Sequence, residues 1–165
     1  MTLPMTLRGV EDAGRDALDE LTAAYVHALD DADLDRWPDF FTEDCIYKIV
    51  PRENHDAGLP LAIWYCKGRG MLRDRVTAIR ETQLFAPRAL RHVAGNMLVV
   101  GRERGALRTV TNYAVYESTL DGPSAVFNVG RYLDRIVVAD GRLKFAEKLC
   151  VFDTSVVPTS LIYPI

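Results

Sequence analysis

The chain has 165 residues, of which 48% are hydrophobic and 26% are charged, values typical of one globular domain. No apolar stretch approaches the roughly 20 residues that cross a bilayer, and the first residues lack the basic start and apolar run of a secretion signal. We therefore expect a single cytoplasmic domain over residues 1–165 that does not engage a membrane. Residues 1–12 are expected to be an N-terminal extension and residues 156–165 a C-terminal arm.

The net charge of −3 conceals two regions of opposite sign. Nine acidic side chains lie between Glu11 and Asp35, against one arginine, whereas ten basic side chains lie between Lys67 and Arg108. Opposite charges on two faces favour oriented association with a protein or an anionic ligand. The basic region has no run of Lys and Arg interleaved with aromatic residues, so we expect no binding of nucleic acid.

The cysteines and histidines are too scattered for a metal centre. None of His27, His55 and His92 lies within four residues of a cysteine, whereas a Rieske cluster or a zinc site needs closely spaced Cys and His pairs. We therefore expect neither a metal nor a cofactor in this chain. The three cysteines show no close pairing and are expected to be reduced thiols.

The N-terminal half predicts three helices and two short strands. Apolar residues recur at helical spacing in three segments, which predict helices over Asp16–Asp30, Leu34–Phe41 and Gly70–Thr82. Alternation predicts strands over Cys45–Val50 and Ala62–Cys66, with a loop over Arg52–Pro60 between them.

Three arginines near the third helix lie together on a helical wheel. Arg69, Arg73 and Arg80 fall within about 40° of one another at 100° per residue, beside the apolar stripe of that helix. Arginine pairs well with carboxylates across interfaces. We call these three residues the arginine ridge and predict that they lie at a subunit interface.

The C-terminal half predicts four long strands joined by short turns. The strands are predicted over Arg91–Glu103, Ala106–Ser118, Ala125–Val138 and Arg142–Asp153. Short links such as Asp140-Gly141 force neighbouring strands to be antiparallel. The third of these strands would be about 46 Å long if straight, so we expect it to bend, with a bulge at Gly130. The predicted fold class is α+β, a cone with three N-terminal helices packed on a strongly curved antiparallel sheet.

Four segments in order resemble one known family. They are WPDFFTEDCIYKI from Trp37 to Ile49, NHDAGLPLAIWYCKGRG from Asn54 to Gly70, MLRDRV in the third helix, and RHVAGN from Arg91 to Asn96. Together they resemble the small β subunits of aromatic-ring-hydroxylating dioxygenases. The likeness is to those that act on carboxylated rings such as salicylate, terephthalate, anthranilate or benzoate.

The resemblance implies a cystatin-like cone and a structural, non-catalytic role. In that family, three α and three β chains form a hexamer in which the β chains make a trimer. The α chain carries the Rieske iron–sulfur cluster and the mononuclear iron, and a separate reductase supplies electrons. This chain would then support the assembly of its α partners and would contribute no catalytic residue.

The alternative is a stand-alone lyase or isomerase of the same cone fold, acting on a small aromatic or polyketide-like molecule. The segment YVHALDDADLD resembles the first helix and turn of ketosteroid isomerase, which places Tyr25 at the position of an oxyanion donor. In the same register the general base falls on Ile49, which cannot accept a proton. A dehydratase resembling scytalone dehydratase could use His92 as its acid and base, with Asp30 and Tyr47 as helpers.

Overall fold

Three α-helices and six strands make up the part of the chain that the computed structural model describes, residues 9–82, 85–103, 105–154, 156–157 and 160–165. The helices are α1 (Arg15–Asp30), α2 (Arg52–Asp56) and α3 (Arg69–Glu81). The strands are β1 (Phe41–Pro51), β2 (Trp64–Lys67), β3 (Arg88–Glu103), β4 (Ala106–Thr119), β5 (Ala125–Ala139) and β6 (Arg142–Phe152). Short 3-10 turns span Val10–Asp12 and Trp37–Phe40.

The six strands form one sheet in the order β2-β1-β6-β5-β4-β3. The last four strands form the antiparallel meander that their short turns predict. Strand β1 joins this meander by pairing with β6 in parallel, and β2 then adds to β1 as an antiparallel edge. The predicted α+β fold class is confirmed, with one parallel pair in a sheet that is otherwise antiparallel.

The sheet bends at bulges, but Gly130 is not one of them. Gly130 pairs in register with Tyr113 on β4 and with Phe152 on β6. The register shifts instead at Phe127, between β4 and β5, and at Ala146, between β5 and β6. The bulge predicted at Gly130 is therefore wrong. The glycine is needed for another reason: a Cβ there would overlap the main chain of β6, 2.7 Å from the Cα atom of Phe152.

Local structure around β1 differs from the prediction in two places. The short helix expected over Leu34–Phe41 is a single 3-10 turn from Trp37, and β1 already begins at Phe41. Residues 52–56 form α2 rather than a loop. Pro51 is extended at the N-cap of this helix, with φ −61° and ψ 142°, and Glu53 in its first turn suits the positive end of the helix dipole.

The core lies between the concave face of the sheet and the helices. Its largest fully buried side chains include Trp37, Tyr25, Tyr47 and Tyr132. Val10, in the described part of the N-terminal extension, is also buried. In the C-terminal arm, Ile165 is completely buried in the same core. No helix of the described segments is long and apolar enough to span a membrane.

Candidate functional site

The interior of the cone is packed with aromatic rings. Tyr25 of α1 meets four rings edge-on, with centroids 5.5–6.2 Å apart: those of Phe40, Phe41, Tyr132 and Phe145. Tyr47 of β1 likewise packs edge-on against Trp37 and Trp64. Such edge-to-face pairs add to the apolar burial of each ring. The rings therefore fix the positions of both phenols.

The two phenol groups meet at the end of the C-terminal arm. The main-chain oxygen of Ile165 accepts hydrogen bonds from the hydroxyls of Tyr25 and Tyr47, each at 2.9 Å. The thiol of Cys150 on β6 donates to the same oxygen at 3.2 Å. The Tyr47 hydroxyl in turn accepts the Ile165 N–H at 3.0 Å. We call these three donors the oxygen-binding triad.

Burial keeps all three groups of the triad protonated. It raises the pKa of Tyr25 and of Tyr47 well above the ordinary phenol value. It also raises the pKa of the Cys150 thiol to about 12, although the nearby Lys148 opposes that change. The triad thus remains a set of neutral hydrogen-bond donors at neutral pH.

A buried ion pair lies beside the triad. The Lys148 ammonium on β6 contacts both carboxylate oxygens of Asp134 on β5 at 3.2 Å, and both side chains are almost completely inaccessible. The ammonium also lies 3.7 Å from the ring centre of Tyr132 and 4.5 Å from that of Tyr25. Burial raises the pKa of Asp134 above its usual value, and the charge of Lys148 partly offsets this effect. The pair neutralises two charges inside an aromatic cage.

A second buried pair joins α1 to the edge strand β3. The Asp30 carboxylate lies 2.6 Å from Nδ1 of His92 and accepts the His92 main-chain N–H at 2.9 Å. Both side chains are buried. The other ring nitrogen, Nε2, has no hydrogen-bond partner among the described residues. This geometry ties the end of the helix to the sheet.

The four residues of the alternative enzyme interpretation thus form two different pairs. Tyr25 and Tyr47 bind the main chain of Ile165, whereas Asp30 and His92 bind each other. Ile49 is fully buried, opposite Trp64 on β2 and Cys150 on β6. The residue that the sequence resemblance aligned with the base of an isomerase is therefore an apolar side chain of the core.

The three residues of the arginine ridge lie in three different environments. Arg69 pairs with Glu43 at 2.8 Å and donates to the main-chain oxygen of Phe41 at 2.7 Å, so its side chain is only 12% exposed. Arg80 pairs with Asp35 at 2.6 Å and remains 48% exposed. Arg73 is exposed, and no side-chain partner is seen for it among the described residues. Arg73 and Arg80 flank an open cleft of about 320 Å³ between α3 and the turn at Pro38.

Sequence reasoning missed Asp134, Lys148, Cys150 and Ile165. One signal was present, because Asp134 shares the inward face of β5 with Tyr132 and Ile136. The inward orientation of Lys148 could not be predicted, because the bulge at Ala146 interrupts the alternation of inward-facing and outward-facing side chains along β6. No sequence pattern indicates that Ile165 enters the core. Among the described residues, no three His, Cys, Asp or Glu side chains cluster as metal ligands would.

Comparison with known proteins places this α+β cone in a family. The family model described as the ring hydroxylating beta subunit matches residues 25–159. The chain therefore belongs to the family of ring-hydroxylating β subunits. The resemblance carried by the four sequence segments is confirmed.

Individual relatives cover nearly the same length. The chain is 40% identical over 141 residues to the anthranilate 1,2-dioxygenase small subunit of Burkholderia cepacia, covering 86% of this chain and 88% of the relative. It is 32% identical over 143 residues to a terephthalate 1,2-dioxygenase β subunit of a Comamonas species, covering 87% and 93%. A solved β subunit, assigned to an aromatic-ring-hydroxylating dioxygenase of Novosphingobium aromaticivorans, matches with a TM-score of 0.83. It is 36% identical, over 92% of this chain and 96% of that one.

Proposed function

We propose that this chain is the structural, non-catalytic β subunit of an oxygenase that acts on an aromatic carboxylic acid. The observation that carries the proposal is the 40% identity to an anthranilate dioxygenase small subunit along 86% of the chain. The terephthalate relative supports the same substrate class, because both names refer to carboxylated rings. The oxygen chemistry then belongs to an α partner, which holds the Rieske cluster and the mononuclear iron.

The architecture of the proposed complex is a trimer of this chain within a hexamer of three α and three β subunits. The two edge strands of the sheet support self-association, because both carry exposed apolar side chains. On and around β2 these are Leu59, Leu61, Ile63, Tyr65 and Met71, and on β3 they are Val93, Leu98, Val99 and Val100. Exposed apolar surface of this extent is typical of subunit contacts. Two different surfaces meeting head to tail can close into a ring of three.

The arginine ridge supplies a polar contact in this proposal, and Arg73 is the member most available for it. Arg69 and Arg80 already have carboxylate partners within the chain. The Arg73 guanidinium is free to pair with a carboxylate of another subunit across the cleft that it flanks. The acidic stretch from Glu11 to Asp35 provides suitable carboxylates on a second copy.

The location proposed for the complex is the cytoplasm. All three cysteines are free and buried. Thiols of this kind are maintained by the reducing conditions of that compartment.

The test is co-expression of this chain with its α partner, followed by affinity capture through the α chain. We expect the wild-type chain to be captured in equal amounts with the α chain. Size-exclusion chromatography with light scattering then measures how much of this chain is trimeric. Arg73→Glu should lower the trimeric fraction at least tenfold, because it places an anion opposite the carboxylate of the second copy. Arg142→Glu makes the same charge change at an exposed arginine at the start of β6 and should leave the trimer intact. Failure of the wild-type chain to be captured contradicts the proposed function, and equal trimer content of both variants contradicts the role of Arg73.

A further inference from the structure

The buried histidine of β3 presents a polar atom that the chain itself does not use. The Asp30 carboxylate binds Nδ1 of His92 at 2.6 Å and also accepts its main-chain N–H. The second ring nitrogen, Nε2, is buried and has no hydrogen-bond partner among the described residues. Because Asp30 accepts the Nδ1 hydrogen, the neutral ring presents the lone pair of Nε2 as a hydrogen-bond acceptor.

A buried amide on β5 presents the complementary group. Asn128 is completely buried, and its Oδ1 accepts the hydroxyl of Tyr113 at 2.6 Å. Its Nδ2 has no hydrogen-bond partner in the part of the chain that the structure describes. Asn128 therefore presents a hydrogen-bond donor inside the cone. A buried polar group without a partner carries a free-energy cost, which a bound molecule with a matching group would remove.

The register of the sheet places these two groups on the same face. His92 lies directly opposite Val115 on β4, and Val115 lies directly opposite Asn128 on β5. Residues that are directly opposite share a face of the sheet, and all three are buried. The main chains of β3 and β5 are about 10 Å apart, twice the spacing of neighbouring strands. Only the small side chain of Val115 separates the two polar residues along this row.

The surroundings of the pair are apolar and partly aromatic. Leu90 and Ala94 occupy the inward positions of β3 on either side of His92, and both belong to the core or pack against it. Tyr113 occupies the next inward position of β4, and its ring stacks on that of Tyr132 at 4.3 Å between ring centres. An apolar lining with a few fixed polar groups is typical of sites for small molecules.

We propose that His92 and Asn128 bind the hydroxyl group of a small neutral phenol inside the cone. A hydroxyl group can donate one hydrogen bond and accept another, so it matches Nε2 of His92 and Nδ2 of Asn128 at the same time. The ring of the phenol packs against Leu90 and Tyr113, which favours an aromatic ligand over an aliphatic alcohol. An anion is disfavoured, because neither free atom offers it a positive charge in place of its hydration. The site is formed by this chain alone and does not depend on the proposed function.

The first experiment compares two ligands on the full-length wild-type chain by fluorine NMR. 4-Fluorophenol carries the hydroxyl group, whereas 4-fluoroanisole has the same ring and a methyl ether that cannot donate a hydrogen bond. We expect 4-fluorophenol to bind at least fivefold more tightly, the effect of one hydrogen bond. Nitrogen NMR of the labelled chain locates the ligand: 4-fluorophenol should shift the Nε2 signal of His92 and leave the signals of His27 and His55 unchanged.

The second experiment uses variants that each remove one partner. His92→Asn keeps an amide hydrogen for Asp30 in place of Nδ1 but lacks Nε2, and Asn128→Leu removes the amide at similar volume. Each should weaken binding of 4-fluorophenol about fivefold and leave binding of 4-fluoroanisole unchanged. Thr111→Val is the matched control, because it removes a buried hydroxyl of β4 that lies two inward positions from Val115. It should not change the affinity for either ligand.

Three results would overturn the proposal. They are equal affinity of the wild-type chain for the two ligands, an unchanged Nε2 signal of His92 in saturating 4-fluorophenol, and a folded His92→Asn variant that binds 4-fluorophenol as tightly as wild type. The first two measurements use only the wild-type chain, so they decide the proposal even if neither variant folds.

Discussion

Removing one partner of the buried ion pair should destabilise the chain strongly. Lys148→Met keeps most of the length and packing of the side chain but leaves the Asp134 carboxylate buried without its cation. Both side chains are almost completely inaccessible. Breaking such a pair costs about 3–5 kcal/mol. In a domain of this size each kcal/mol lowers the Tm by roughly 3 °C, so we expect a loss of about 9–15 °C.

The pH dependence of this loss identifies its cause. The pKa of Asp134 is already above its usual value in the folded chain because of burial, and loss of Lys148 removes the main opposing influence. The Asp134 carboxyl group then binds a proton more tightly in the folded variant than in the unfolded chain. This proton binding stabilises the folded variant at acidic pH, and the stabilisation is lost as the pH rises through the folded pKa of Asp134. The deficit of Lys148→Met relative to wild type should therefore grow as the pH rises above the ordinary aspartate pKa of about 3.9.

Urea unfolding followed by tryptophan fluorescence, at fixed protein concentration, measures both effects. Trp37 is fully buried and reports on the core. The double variant Lys148→Met/Asp134→Asn should recover more than half of the loss, because a neutral amide is cheaper to bury than a carboxylate. The reasoning is refuted if Lys148→Met unfolds within about 1 kcal/mol of wild type at every pH, or if the double variant is the less stable of the two.

Three further predictions concern the frame of the cone. Gly130→Ala should lower the free energy of unfolding by about 3 kcal/mol, because its methyl group would overlap the main chain of β6. Gly95→Ala, which has open space around it, should be nearly neutral. Thermal melts compare the two variants, and equal melting temperatures would contradict the close approach of Gly130 to β6. Asp30→Asn should lower the free energy of unfolding by about 2 kcal/mol, because it weakens the hydrogen bonds to His92 of β3. Hydrogen exchange should then show faster opening at the end of α1. Unchanged exchange there would show that the contact with His92 does not hold the end of the helix. Burial raises the pKa of Cys45 to about 11 and that of Cys150 to about 12. Both thiols should therefore resist iodoacetamide at about pH 8 in the native chain and react with it in denaturant. Rapid alkylation of the native chain would contradict their burial.

Local pattern was sufficient for the elements that carry a strong periodicity. The stripe of α1 and the Asp140-Gly141 turn predicted a long helix and a hairpin, and the structure contains both. These features depend on neighbours a few residues apart. The fold class followed because four strands joined by short turns leave few other arrangements.

Features that depend on distant contacts were not visible in the sequence. The parallel pairing of β1 with β6 joins segments about a hundred residues apart. No short turn links these two strands, so the sequence does not predict their pairing. The positions of the bulges at Phe127 and Ala146 are defined by how β5 pairs with β4 and with β6, so the glycine at position 130 did not predict them.

The candidate site was predicted only in part, for the same reason. Tyr25 was identified by resemblance, and His92 was named as a possible acid and base with Asp30 and Tyr47 as its helpers. Their true partners are set by the fold: the phenols bind Ile165, which is more than a hundred residues away along the chain. The pairing of Asp134 with Lys148 across β5 and β6 required the register of the sheet.

Native mass spectrometry of the complex co-purified with the α chain determines how many copies of each subunit it contains. We expect three copies of this chain with three α chains. After the subunits are separated, all iron should remain with the α chains and none with this chain. A chain that stays monomeric beside its α partner, or that carries stoichiometric iron of its own, would contradict the proposed structural role.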